Sequence, residues 1–125
     1  MIKSDIKVRE DVILLVDTFY DRVKENQTLD YIFSDVAKID WQKHLSIMYS
    51  FWGSILLGEQ SYAGNPMETH IVLGRKTALT SKEFTEWLFL FNSTVDELFV
   101  GPTADEAKLR AGNIARLMLH KIETV

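Results

Sequence analysis

The chain has 125 residues, of which 46% are hydrophobic and 26% are charged, and its formal net charge is -4. These values fit one domain with an apolar core, which we expect to span residues 1–125. A mildly acidic chain without a basic run favours neither nucleic acid nor a membrane as partner. The absence of cysteine excludes disulfides and thiolate metal sites. With an N-terminus that lacks an apolar signal core, this composition predicts a cytoplasmic protein.

Apolar residues in the first half of the chain follow helical spacing. Residues 9–24 repeat apolar side chains every three or four positions, which predicts an amphipathic helix. A short helical piece is predicted over residues 29–33. Asp40 can cap a second long helix that begins near Trp41 and ends near Gly58. Its buried face is predicted to carry His44, Met48, Phe51, Trp52 and Ile55.

The middle of the chain predicts a loop followed by two helices. Residues 59–65 are typical of a loop, and Asn65-Pro66 is typical of the start of a helix of about two turns. Thr80 and Glu83 then match the capping-box pattern, which predicts the start of a third long helix. Its buried stripe is predicted to be Phe84, Trp87, Phe91, Val95 and Leu98.

Gly101-Pro102 interrupts that helix, and a last helix follows. The residues from Thr103 to Glu106 match a second capping box, so we expect this helix to begin there and to run toward Lys121. Its inward residues are predicted to be Ala107, Ala111, Ile114, Ala115 and Met118. Because no hairpin signal interrupts the helical spacing, the predicted fold class is all-α.

The three histidines differ in their neighbours. His120 lies on a polar helical face, where a solvated side chain is expected. His44 and His70 lie among apolar residues, which is more typical of a hydrogen-bonded core or rim histidine than of a metal ligand. Two such histidines without cysteine do not supply the three or four ligands of a zinc site. Haem needs one axial imidazole and an apolar slot, so these residues permit haem without requiring it.

Aromatic residues at helical spacing are more often core than cofactor contacts. Tyr20 and Trp87 differ because each carries a polar hydrogen on a largely apolar helix and needs a partner when buried. A bound diatomic ligand is one such partner. The chain contains no nucleophile elbow, phosphate loop or dinucleotide fingerprint, which disfavours those enzyme classes.

Several short segments, in order and spacing, resemble the truncated haemoglobins, and within them group III. The resemblance runs from Arg9 to about Ile122, and no pair of adjacent glycines occurs, unlike in other truncated groups. The matching segments are Leu14-Leu15-Val16 with Phe19-Tyr20, Ile32-Phe33, Trp41-x-x-His44-Leu45 with Phe51-Trp52, Gly64-Asn65-Pro66-Met67-x-x-His70, Phe84-x-x-Trp87-Leu88-x-Leu90-Phe91 and Thr94-Val95-Asp96-Glu97-Leu98-Phe99.

The resemblance implies a globin-like, two-over-two helical sandwich that holds one haem b. His70 resembles the proximal iron ligand, and Phe33 resembles the phenylalanine that packs flat on the porphyrin. Tyr20, His44 and Trp87 resemble the three distal polar residues. The remaining expected haem contacts are Met48 and Phe51, and Arg75 and Lys76 either pair with the propionates or form a solvated basic loop.

The resemblance also implies oxygen, nitric oxide and carbon monoxide as ligands. Hydrogen bonds from Tyr20 and Trp87 would slow release of a bound ligand, so we expect nitric oxide dioxygenase or peroxidase-like chemistry rather than bulk oxygen transport. Such turnover requires an external electron donor such as a reductase. Two alternatives stay open: a sensor or store of diatomic ligands without turnover, and a helical interaction domain without cofactor. His44 as a resting-state iron ligand also stays open.

Overall fold

The structure is a computed structural model that describes residues 3–30, 41–59 and 80–123. In these ranges it contains four α-helices and no strand, which confirms the all-α prediction. Helix α1 packs against α2 and α3, α3 packs against α4, and α2 makes a smaller contact with α4. No helix in the described ranges has the length and apolarity to cross a membrane. The helices are α1 (Arg9–Glu25), α2 (Trp41–Leu57), α3 (Ser81–Leu98) and α4 (Pro102–Glu123).

Helix α1 agrees with the predicted helix, and side chains organise the backbone just before and just after it. The carboxylate of Asp11 accepts hydrogen bonds from the two backbone N–H groups that precede the helix, at 2.9 and 3.2 Å. After the last turn, the side-chain oxygen of Asn26 accepts from the N–H groups of Thr28 and Leu29. This turn directs buried Leu29 back onto the core. The rest of the short piece predicted over residues 29–33 lies outside the described residues, apart from Asp30.

Helix α2 also agrees with its prediction and ends at a left-handed glycine. Gly58 has φ 72°, which ends the helix and folds the chain back. The carboxylate of Glu59 then occupies the space that a Cβ at Gly53 would fill. Arg9 Nη1 lies 2.6 Å from this carboxylate, so the end of α2 is tied to the start of α1. The predicted cap Asp40 and most of the predicted loop 59–65 lie outside the described residues.

Helix α3 begins as the capping-box pattern predicts. The N–H of Lys82 donates to Thr80 Oγ1 at 3.3 Å, and the N–H of Thr80 donates to Glu83 Oε1 at 2.9 Å. Each side chain therefore satisfies a backbone donor that the helix itself leaves unpaired.

The predicted start of α4 is wrong. The helix begins at Pro102, so Thr103 lies in its first turn rather than at its cap. The cap comes from the other end of the chain: the carboxylate of Asp5 accepts from the N–H groups of Thr103 at 3.0 Å and Ala104 at 2.8 Å. Gly101, with φ 145°, allows this approach, because a Cβ there would collide with the Asp5 carboxyl group. A cap supplied across 98 positions leaves no local sequence pattern.

The core lies where α1 meets α2 and α3, and polar side chains set the register between these helices. Arg22 Nη1 donates to Thr94 Oγ1 at 3.1 Å, and Asn26 Nδ2 donates to Glu86 Oε1 at 2.8 Å. Helix α4 covers the remaining side with small side chains, as predicted, except that Ile114 is half-buried. The buried residues include Val12, Leu15, Val16, Phe19, Val23, Met48, Trp52, Phe91, Val95, Ala107, Ala111, Ala115 and Met118.

Replacement of Asp5 should destabilise the fold in a pH-dependent way. We expect Asp5→Ala to lower the free energy of unfolding by about 1 to 2 kcal/mol at neutral pH, since the cap of α4 is lost. Burial raises the pKa of Asp5, but the N–H donors of Thr103, Ala104 and Ile6 outweigh it and hold the pKa below its usual value. The contribution is therefore complete above about pH 4 and disappears as the pH falls through the lowered pKa.

Urea unfolding at neutral and at strongly acidic pH measures this difference. Asp21→Ala, which removes an exposed aspartate of α1, is the matched control and should leave the unfolding free energy unchanged. Equal stability of Asp5→Ala and the unaltered chain at neutral pH would contradict the assigned cap.

Candidate functional site

Three of the predicted site residues lie in one cluster of side chains between α1, α2 and α3. The ring centroids of Tyr20 and His44 are 5.0 Å apart with the planes at 85°. Phe19 contacts Tyr20 at 4.8 Å and Trp87 at 5.8 Å. The structure thus brings Tyr20, His44 and Trp87 together, with Phe19 as the link between the first and the third.

The order Phe19-Tyr20 explains how α1 reaches both neighbouring helices. Consecutive helical residues point about 100° apart, so two adjacent aromatic rings leave α1 in different directions. Phe19 points to α3, where it also contacts Phe91 at 5.3 Å. Tyr20 points to the first turn of α2. This dipeptide therefore determines how the polar groups of α2 and α3 are placed relative to each other.

A set of stacked aromatic rings lies against the cluster on the side of the core. Phe91 of α3 stacks on Trp52 of α2, with centroids 4.8 Å apart and planes at 23°. Phe91 also lies nearly parallel to Trp87, at 5.9 Å and 17°. Aromatic pairs contribute about 0.5 to 1.5 kcal/mol each beyond the area they bury. These contacts hold the indole of Trp87 from the side of the core.

Burial keeps the phenol of Tyr20 in its donor form. Only 5% of Tyr20 is exposed, and burial raises the pKa of its hydroxyl above the ordinary value of 10.0. The hydroxyl, which is protonated at neutral pH even at its ordinary pKa, therefore stays protonated further into the alkaline range. Trp87 carries an indole N–H, which is a donor at any pH. The cluster thus offers two donors among apolar rings.

The described residues fit the distal wall of a haem pocket. A porphyrin needs flat apolar walls, and α2 and α3 carry more apolar surface than the core covers. Ile47 is 40% exposed, and the apolar side chains beside the cluster are half-buried. Met48, which was predicted as a distal contact, is buried as a member of the core cluster. The half-buried apolar residues of these two helices include Phe51, Ile55, Phe84 and Trp87.

The other side of the predicted pocket lies outside the described residues. This holds for the predicted iron ligand His70, for Phe33, and for Arg75 and Lys76. The helix predicted to start at Asn65-Pro66 also falls in this part of the chain. The roles assigned to these four residues therefore stay predictions. His120, by contrast, is exposed on α4, as predicted.

The sequence reasoning missed two residues beside the cluster. Trp41 contacts the ring of Tyr20 at 5.7 Å and that of His44 at 5.8 Å. Lys24 Nζ lies 4.4 Å from the centroid of the Trp41 ring. The available signal was spacing: Lys24 follows Tyr20 by one helical turn, and Trp41 precedes His44 by one turn.

Comparison with known proteins identifies a family. A family model described as Bacterial-like globin matches residues 5–121. Group 3 truncated hemoglobin ctb of Campylobacter jejuni is 28% identical over 94 residues, which cover 73% of this chain and 72% of that protein. The crystal structure of group III truncated hemoglobin from Campylobacter jejuni superposes with a TM-score of 0.84 at 26% identity, covering 97% of this chain and 95% of that one. The resemblance to group III and the globin fold are confirmed.

Tyr20→Phe should make the fold less sensitive to alkaline pH. Because burial raises the pKa of Tyr20, the unfolded chain ionises first. The contribution of Tyr20 to stability is therefore complete below about pH 10 and is lost as the pH rises toward the raised pKa. Urea unfolding at about pH 8 and about pH 11, with both proteins in the same cofactor state, should show a smaller loss of stability for Tyr20→Phe. An equal loss in the two proteins would contradict the burial of a protonated phenol.

Proposed function

The chain belongs to the family of bacterial-like globins, and on that premise we propose that it binds haem b through His70 and holds a diatomic ligand with Tyr20, His44 and Trp87. Family membership itself implies haem-based binding of diatomic gases. The observation that carries the finer proposal is the contact of Tyr20 with His44 at 5.0 Å, beside the Phe19–Trp87 contact. We further propose that residues 1–125 form one globin-like domain, since the family match spans 5–121.

Each side chain has a distinct task in this proposal. Haem, when bound, supplies an iron that coordinates diatomic gases. His70 would provide the axial imidazole, and Phe33 would pack on the porphyrin. Tyr20 and Trp87 present an O–H and an N–H to the ligand, while Met48 and Phe51 keep water from the apolar wall. The rings of Phe19 and Phe91 prevent Tyr20 and Trp87 from moving apart.

Two donors on one ligand favour chemistry over delivery. A hydrogen bond contributes about 1 to 1.5 kcal/mol net. Two such bonds slow ligand release by about two orders of magnitude, since 1.4 kcal/mol corresponds to a factor of ten. Bulk oxygen transport needs fast release. We therefore propose nitric oxide dioxygenation or peroxide reduction, with electrons supplied by an external reductase.

His70→Ala should weaken the retention of haem. The variant lacks the proposed axial ligand, so we expect haem transfer to an excess of a high-affinity acceptor protein to be at least about tenfold faster. The change in the Soret absorption band follows this transfer. His120→Ala, which changes an exposed histidine of α4, should retain haem like the unaltered chain. Equal haem retention and equal spectra in His70→Ala would show that another residue ligates the iron.

The double variant Tyr20→Phe, Trp87→Phe should release oxygen about a hundredfold faster, because both proposed donors are removed while the ring volume at position 20 is kept. Stopped-flow displacement of oxygen by carbon monoxide measures this rate. Tyr49→Phe is the control, since Tyr49 donates to Asp17 of α1 rather than belonging to the cluster. An unchanged release rate in the double variant would remove the basis for favouring chemistry over transport.

A further inference from the structure

Four side chains form a corner where the end of α1 meets the start of α2. Tyr20 and Lys24 are one turn apart on α1, and Trp41 and His44 are one turn apart on α2, so each pair shares a helical face. Trp41 makes edge contacts with Tyr20 at 5.7 Å and 60° and with His44 at 5.8 Å and 81°. Lys24 Nζ lies over the Trp41 ring at 4.4 Å. One tryptophan thus contacts both proposed ligand-binding residues of α1 and α2.

Burial increases from the outside of this corner to the inside. Lys24 is exposed, Trp41 and His44 are half-buried, and Tyr20 is buried. The indole therefore joins the exposed lysine cation to the two polar rings of the site, since it contacts all three. Trp41 is the first residue of α2, where the backbone N–H groups have no partner within the helix.

We propose that Lys24 and Trp41 are positioning residues that hold His44 and Tyr20 inward and thereby limit the rate at which a diatomic ligand enters the pocket. This inference rests on the proposed function, because it takes Tyr20 and His44 as ligand contacts. An outward movement of the His44 ring has to break its contacts with Tyr20 and with Trp41. The cation over the Trp41 ring opposes a displacement of the indole.

The size of the effect follows from the type of contact. The loss of an exposed cation–π contact should change the equilibrium between the inward and outward positions of the His44 ring by about two- to fivefold. Loss of the indole removes one of the two edge contacts of His44 together with the lysine contact, which amounts to about tenfold. We therefore expect carbon monoxide to bind about two- to fivefold faster to the ferrous haem protein with Lys24→Met. With Trp41→Leu we expect binding about tenfold faster.

A double variant tests whether the lysine acts through the ring. Lys24→Met added to Trp41→Leu should give no further acceleration, because its contact partner is gone. Trp41→Phe keeps a ring at the same position and should restore a rate close to that of the unaltered protein. Lys7→Met, at an exposed lysine before α1, is the charge control and should leave the rate unchanged.

Laser photolysis of the carbon monoxide complex gives the association rate, and infrared spectroscopy of the C–O stretch gives a second readout. The band of the hydrogen-bonded population should weaken in Lys24→Met and weaken further in Trp41→Leu. A purely structural role of Trp41 would change stability and leave this band in place. Rescue of the band by Trp41→Phe is the expected result.

Three outcomes would overturn the proposal. They are an unchanged rate and band in Trp41→Leu, an unchanged rate in Lys24→Met, and a further acceleration when the two substitutions are combined. If Trp41→Leu does not retain haem, the rates and bands of Lys24→Met and Trp41→Phe test the proposal instead. Lys24→Met is suitable because it changes only an exposed side chain. Failure of the proposed function would look different: the unaltered chain itself would form no carbon monoxide complex.

Discussion

Phe19 is the side chain on which the arrangement of the site depends. It is almost fully buried and makes edge contacts with Tyr20, Trp87 and Phe91. One ring therefore fixes α1 against α3 and sets the separation between the two proposed hydrogen-bond donors. Because aromatic edge contacts are directional, a change of register between these helices would lose the contacts of Phe19 with Trp87 and Phe91 together. The donors are held in place by the same packing that stabilises the core.

Polar contacts at the perimeter complete this constraint without supplying most of the energy. Arg22 donates a hydrogen bond to Thr94, Asn26 donates one to Glu86, and Arg9 forms an ion pair with Glu59. Such partly exposed contacts contribute little individually. They do select one register of α1 against its neighbours, because each joins a specific pair of positions. Apolar packing thus provides most of the stability between α1 and its neighbours, and the polar contacts determine how these helices are aligned.

The sequence predicted the helices well and the contacts between them poorly. Helical spacing and the Thr80–Glu83 capping box are local signals, so they located α1, α2 and α3. The start of α4 was mispredicted because its cap, Asp5, is distant in sequence. Trp41 was read as a helix start, since spacing defines the face of a helix but not what packs on it. The role of His70 came from family resemblance, because its neighbours alone are more typical of a core histidine.

Binding of one haem per chain, with a ligand-accessible iron, is tested most directly by an absorption titration of the purified protein. Haem added in steps should produce a Soret band that saturates at one equivalent. Reduction under carbon monoxide should then shift this band to that of a carbon monoxide complex. A chain that gives no saturating Soret band would contradict haem binding, and with it the assignment of Tyr20, His44 and Trp87 to a ligand pocket.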